Sequence, residues 1–160
     1  MEITDFEQAK QIALRRLSVR ARSSEELRRD LIARDVSATI ADEIVTCFLE
    51  VGLLDDEDFA KQWVTSRRRT KSLSSSALRC ELSEKGIIVS DEVMSHCEES
   101  DEDVAVNLAR ARAAIMVGKD RTTMMRRLIA QLERRGFTES VIRKTVMQVM
   151  DELGSITDDE

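Results

Sequence analysis

Proline and tyrosine are absent from this 160-residue chain, and glycine occurs only five times. Without proline nothing breaks a helix from within, and so few glycines leave tight hairpins little to turn on. Aromatic residues make up 3% of the chain, which deprives a sheet of the cross-strand packing that holds it together. An all-α protein is therefore expected. Histidine occurs once, as His96, and the three cysteines Cys47, Cys80 and Cys97 show no CxxC spacing. That leaves no ligand pattern for zinc, and an odd set of cysteines reads as reduced intracellular thiols. No apolar run approaches the roughly 18 residues that cross a bilayer. The opening "MEITDFEQAK" lacks the basic-then-apolar order of a signal peptide. The expectation is a soluble, cytoplasmic protein without a membrane partner. A glycine-rich phosphate loop and a serine elbow are missing as well, so no catalytic residue, metal site or cofactor is expected.

What is present is charge and helical punctuation. Charged residues form 35% of the chain against 42% apolar, with a net charge of −6, a globular balance. Gly52, Gly86, Gly118, Gly136 and Gly154 each come after an amphipathic stretch, where a residue able to turn left-handed ends a helix. Ser23 and Glu26 have the spacing of a capping box, and Ser37, Ser90 and Thr138 suit later N-caps.

Superposed segments expose a repeat. "LRRDLIARDV" from Leu27, "LRCELSEKGI" from Leu78 and "LIAQLERRGF" from Leu128 share a leucine pair four apart, then a turn residue, then an apolar residue. The turn residues are Asp35, Gly86 and Gly136. The successive starts lie 51 and 50 residues apart. An apolar-alanine pair precedes each segment, at Ile12-Ala13, Phe59-Ala60 and Val104-Ala105, and a further apolar helix comes after each. The unit is thus three helices, repeated at 1–53, 54–100 and 101–153, with an acidic tail at 154–160. Tandem three-helix repeats predict an elongated, curved array in which each unit buries its face against a neighbour.

Acids open the first helix of every repeat: Asp5 and Glu7, then Asp55, Asp56, Glu57 and Asp58, then Asp101, Glu102 and Asp103. Bases close it, which is the order the helix dipole favours by about 0.3–1 kcal/mol per well-placed residue. A metal or acid/base cluster has no need of a copy at each helix start, so the acids read as structural. The bases exceed what a dipole needs. Arg67, Arg68, Arg69 and Lys71 crowd one helix end, and Arg126, Arg127, Arg134 and Arg135 stud the third repeat. Guanidinium forks suit carboxylate and phosphate, while a net negative body argues against coating nucleic acid by bulk charge. These eight residues are the candidate partner-binding set. Phe59 and Trp63 lie at helical spacing and read as core anchors. Leu53 and Leu54 are expected to tuck the crossing between repeats into the core.

Four stretches carry a family resemblance: "RSSEELRRDL" from Arg22, "GLLDDEDFAKQWV" from Gly52, "LRCELSEKGI" from Leu78 and "LIAQLERRGF" from Leu128. Their order and spacing, the Gly-Leu-x-Asp-Asp-x-x-Phe-Ala joint above all, resemble the RecX family, bacterial regulators of the RecA recombinase. The resemblance runs from about Ile12 to Val146. It implies three tandem three-helix units and no chemistry of the protein's own. It also implies a protein that binds RecA and the RecA filament on single-stranded DNA, inhibiting ATP hydrolysis, strand exchange and the co-protease role in the SOS response. A monomer is the expected state. The rival reading is a helical protein that binds DNA directly through the same arginines. Two departures stand out: Arg34-Asp35 replaces an expected Lys-Gly, and the serine-rich "TKSLSSS" from Thr70 replaces a loop that often carries glycines.

Overall fold

Helix boundaries are set by the caps. The computed structural model describes residues 1–95 and 99–157, and its regular elements there are all helices. They are α1 (Phe6–Val19), α2 (Ser24–Ile32), α3 (Ala38–Glu50), α4 (Asp56–Lys71), α5 (Ser75–Glu84), α6 (Asp91–Ser95), α7 (Asp101–Ala114), α8 (Arg121–Arg134) and α9 (Glu139–Thr157). The all-α expectation stands. His96 and Cys97 lie outside the described residues, as do 158–160. Ser23 and Glu26 form the capping box at α2. Ser37, Ser90 and Thr138 accept the N–H groups of Ile40, Val93 and Val141 at 3.3, 3.3 and 3.4 Å. Asp55 caps α4, its Oδ1 accepting from the Asp58 N–H at 3.0 Å.

Four of the five glycines stop helices as expected, with φ between +77° and +87° at Gly52, Gly86, Gly118 and Gly136. Gly154 does not. Helix α9 continues to Thr157, because Met150 and Leu153 still pack on the core and outweigh the roughly 1 kcal/mol that glycine costs within a helix. The proposed tail therefore begins as helix over 154–157.

Packing divides the chain into two compact units. One holds 1–63 and 81–93; the other holds 64–80 and the described residues from Met94 onward, so the boundaries fall within α4, α5 and α6. In the first unit Ala9, Ala13, Leu27, Leu31, Ala41, Ile44 and Phe48 are buried together. In the second, Val104, Ala105, Ala109, Leu128, Leu132, Phe137, Val146 and Val149 form the core. The leucine pairs that marked the repeat, Leu27/Leu31, Leu78/Leu82 and Leu128/Leu132, are all buried. Each leucine contributes roughly 2 kcal/mol of transfer free energy. Leu53 departs from expectation. Leu54 is buried and donates its N–H to the Phe48 carbonyl, whereas Leu53, pointing the other way out of the Gly52 turn, is 53% exposed.

Gly86 and Gly136 answer a second constraint besides φ. A Cβ on Gly86 would lie 2.5 Å from the Glu25 Cβ, at the start of α2. One on Gly136 would lie 2.8 Å from Ser74 Oγ and 3.0 Å from the Ala77 Cβ, at the start of α5. Asp35, at the matching place in the first repeat, adopts φ 64° and is exposed, so a side chain fits there. Asp tolerates this conformation better than most residues. Gly86→Ala and Gly136→Ala should each lose about 2–4 kcal/mol in urea unfolding, from left-handed strain plus collision. Asp35→Gly should change stability by less than about 1 kcal/mol.

Candidate functional site

The basic end of α4 is shaped by the turn that closes the helix. Ser72 takes φ 51° and donates its N–H to the Arg68 carbonyl, supplying the left-handed turn for which a glycine was expected. Leu73 and Ser74 are then buried, and Ser74 Oγ caps α5 by accepting the Ala77 N–H at 3.1 Å.

Arg68 does not face outward. Its guanidinium donates to Asp101 Oδ1 at 2.7 Å and to Ser75 Oγ at 2.8 Å, and its side chain is only 10% exposed. Asp101, the first residue of α7, also accepts the Ser75 N–H at 3.0 Å and the Ser75 hydroxyl at 2.7 Å. One carboxylate thus serves the N-terminus of α5 as well as that of its own helix. Of the candidate partner-binding residues, Arg68 is thus engaged within the fold, neutralising a half-buried acid.

The first unit repeats the arrangement. Asp56, the first residue of α4, accepts the Ser24 N–H at 2.8 Å and the Ser24 hydroxyl, at the start of α2. The neighbouring serines match too. Buried Ser23 donates its hydroxyl to the Lys85 carbonyl at 2.7 Å, and buried Ser74 donates its N–H to the Arg135 carbonyl at 3.0 Å. Lys85 and Arg135 each precede the glycine on which the serine's helix rests. The signal for this joint was present in the sequence, as the paired serines 23–24 and 74–75, set 51 residues apart. In the sequence their acidic partners show only as acids at the start of their own helices, not as acceptors for a neighbouring one.

A second carboxylate secures the first unit. Glu26 accepts from Lys85 Nζ at 2.6 Å, from Arg20 and from the Ser23 N–H at 3.1 Å. Burial would raise its pKa. The hydrogen bonds from Lys85, Arg20 and Ser23 outweigh it and hold the carboxyl at about 2, below the usual 4.5. Lys85 also lies 4.4 Å over the Trp63 ring, which stacks with Phe59 at 5.9 Å and donates to Glu81 at 2.9 Å. Trp63, expected as a core anchor, is only partly buried and lies outside the two main cores, stacked on the buried Phe59.

The remaining cations divide by exposure. Arg69, Lys71, Arg126, Arg127 and Arg134 are exposed, while Arg67 and Arg135 are partly buried. Arg135 donates to the Lys71 carbonyl at 2.7 Å, which brings the basic ends of α4 and α8 side by side. Arg134 donates to Gln131 at 2.8 Å, and Arg127 stands seven residues before it, on the same face of α8. Among the described residues no group of three or more His, Cys, Asp or Glu is placed to hold a metal ion. No helix there is long and apolar enough to cross a membrane. The arrangement leaves guanidinium and ammonium groups exposed at the end of α4 and on α8.

Because the folded pKa of Glu26 lies below its unfolded value, its contribution is complete above about pH 4.5 and is lost as pH falls toward 2. Urea midpoints measured across that window should fall steeply for the wild type and less for Glu26→Gln. Parallel profiles would show that Glu26 is not a source of the acid sensitivity.

Comparison with known proteins agrees with this architecture. Sequence models of the first and second three-helix domains of RecX match residues 9–46 and 55–88. The regulatory protein RecX of Streptomyces coelicolor is 34% identical over 155 residues, covering 95% of this chain and 82% of that protein. The Mycolicibacterium smegmatis protein of the same name is 40% identical over 152 residues, covering 86% and 77%. The crystal structure of RecX from Lactobacillus salivarius superposes with a TM-score of 0.76 at 20% identity, over 90% of this chain and 96% of that one. This chain belongs to the RecX family of regulatory proteins.

Proposed function

We propose that this chain binds the RecA recombinase and its filament on single-stranded DNA. Bound there, it restrains ATP hydrolysis, strand exchange and co-protease activity in recombinational repair and the SOS response. The observation that carries the reading is similarity along 95% of the chain to proteins named as RecX regulators. The exposed cations support it. Arg69 and Lys71 at the end of α4, with Arg126, Arg127 and Arg134 on α8, offer several weak contacts within one unit. Weak contacts made together along a repeating filament bind tightly, since the second and later contacts are effectively intramolecular. Occupying the filament would hinder duplex entry and subunit exchange without any chemistry by the regulator. Direct DNA binding is the weaker reading, because a net charge of −6 repels a polyanion everywhere except at these patches.

The triple variant Arg69→Ala/Lys71→Ala/Arg126→Ala should keep its helicity by circular dichroism, because all three residues are exposed. Its inhibition of RecA ATPase on single-stranded DNA should need about tenfold more protein, the sum of several exposed charge contacts. Inhibition at the wild-type concentration would exclude these residues from the contact.

A further inference from the structure

We infer that a groove between the end of α7 and the outer face of α8 is a docking site for an acidic, partly apolar peptide segment of the protein partner. The inference rests on the partner being a protein, as proposed above. The groove has a volume of about 350 Å³; Arg112, Arg127 and Arg134 line it together with Ile115, Met116, Ala130 and Gln131, the amide that accepts from Arg134. It lies wholly within the second unit.

The fold explains why these residues meet. Helix α7 buries Ala105, Ala109 and Ala113, and α8 buries Leu128 and Leu132. Arg112 therefore leaves α7 on the solvent side, and Arg127, Ala130 and Arg134 form the uncovered face of α8. Just past α7, Ile115 is 74% exposed and Val117 86% exposed, before the turn at Gly118. Three cations around an apolar floor, with no carboxylate in the lining, invert the sign of an otherwise acidic protein.

Charge complementarity selects the occupant. Each guanidinium fork can take a carboxylate through two parallel N–H···O bonds. Ile115 and Met116 would cover an apolar side chain set between those carboxylates, methionine adapting to its shape. Apolar contact at the centre with ion pairs at the rim is the common anatomy of a protein interface. A nucleic-acid strand fits less well. No aromatic residue lines the groove, so its bases would have no platform to stack on. Its phosphates would also leave Ile115 and Met116 uncovered.

The test uses a fluorescein-labelled peptide of alternating glutamate and leucine, titrated with the full chain and followed by anisotropy. The peptide should bind, and Arg112→Ala/Arg127→Ala/Arg134→Ala should weaken binding by about tenfold. Equimolar oligo(dT) should not displace it. Absence of binding, equal binding by the variant, or displacement by oligo(dT) would each overturn the inference. RecA ATPase, measured alongside, separates the two proposals. A wild-type chain that inhibits RecA but ignores the peptide sinks the groove and leaves the RecA reading standing. A chain that binds the peptide but leaves RecA unaffected upholds the groove and sinks the RecA reading.

Discussion

A carboxylate at the start of one helix holds the start of another, and most of this structure depends on that contact. Asp56 takes the N–H and hydroxyl of Ser24; Asp101 takes those of Ser75. Helices α2 and α5 have nine and ten residues, too short to be stable alone in water. Their first N–H groups need acceptors, and their positive dipole ends need a counter-charge. An acid that opens the next repeat's first helix supplies both while also lying at its own helix's positive end. The serine just before each such contact is buried, and the glycine opposite clears space for the helix to seat. The acid, the serine pair and the glycine are one device used twice.

This changes the meaning of the acidic run that resembles an active site. Asp55 caps α4 and Asp56 reaches across to α2, so the carboxylates are engaged before any metal or substrate arrives. It also sorts the arginines. Arg68 is drawn inward by Asp101, and Arg135 is turned to the Lys71 carbonyl. Of the eight candidate cations, those left at the surface, Arg69, Lys71, Arg126, Arg127 and Arg134, lie at the end of α4 and on α8.

Much was legible in the sequence, because the readable features are local. Leucines four apart mark a buried helical stripe, glycines after amphipathic runs mark stops, and Ser23 with Glu26 announces its box. What escaped was decided by tertiary contacts. Arg67, Arg68 and Arg69 look alike in sequence, and only the position of Asp101 singles out Arg68. Leu53 and Leu54 are equally apolar, but the Gly52 turn sends one inward and the other out. Gly154 reads as a stop until the core contacts of Met150 and Leu153 carry α9 through it. Ser72 gave no warning that it would adopt a left-handed turn. The superposed leucine segments located the repeats, and the family resemblance added the expected partner. The packing shows which charges build the protein and which remain exposed.

The central claim is that the acids at the repeat starts are structural clasps. It is tested most directly by a double-mutant cycle on Asp101→Asn and Ser75→Ala, read by urea unfolding. A clasp predicts that the two losses are not additive, with a coupling of about 1–3 kcal/mol. Additive losses, or an Asp101→Asn variant as stable as the wild type, would contradict it.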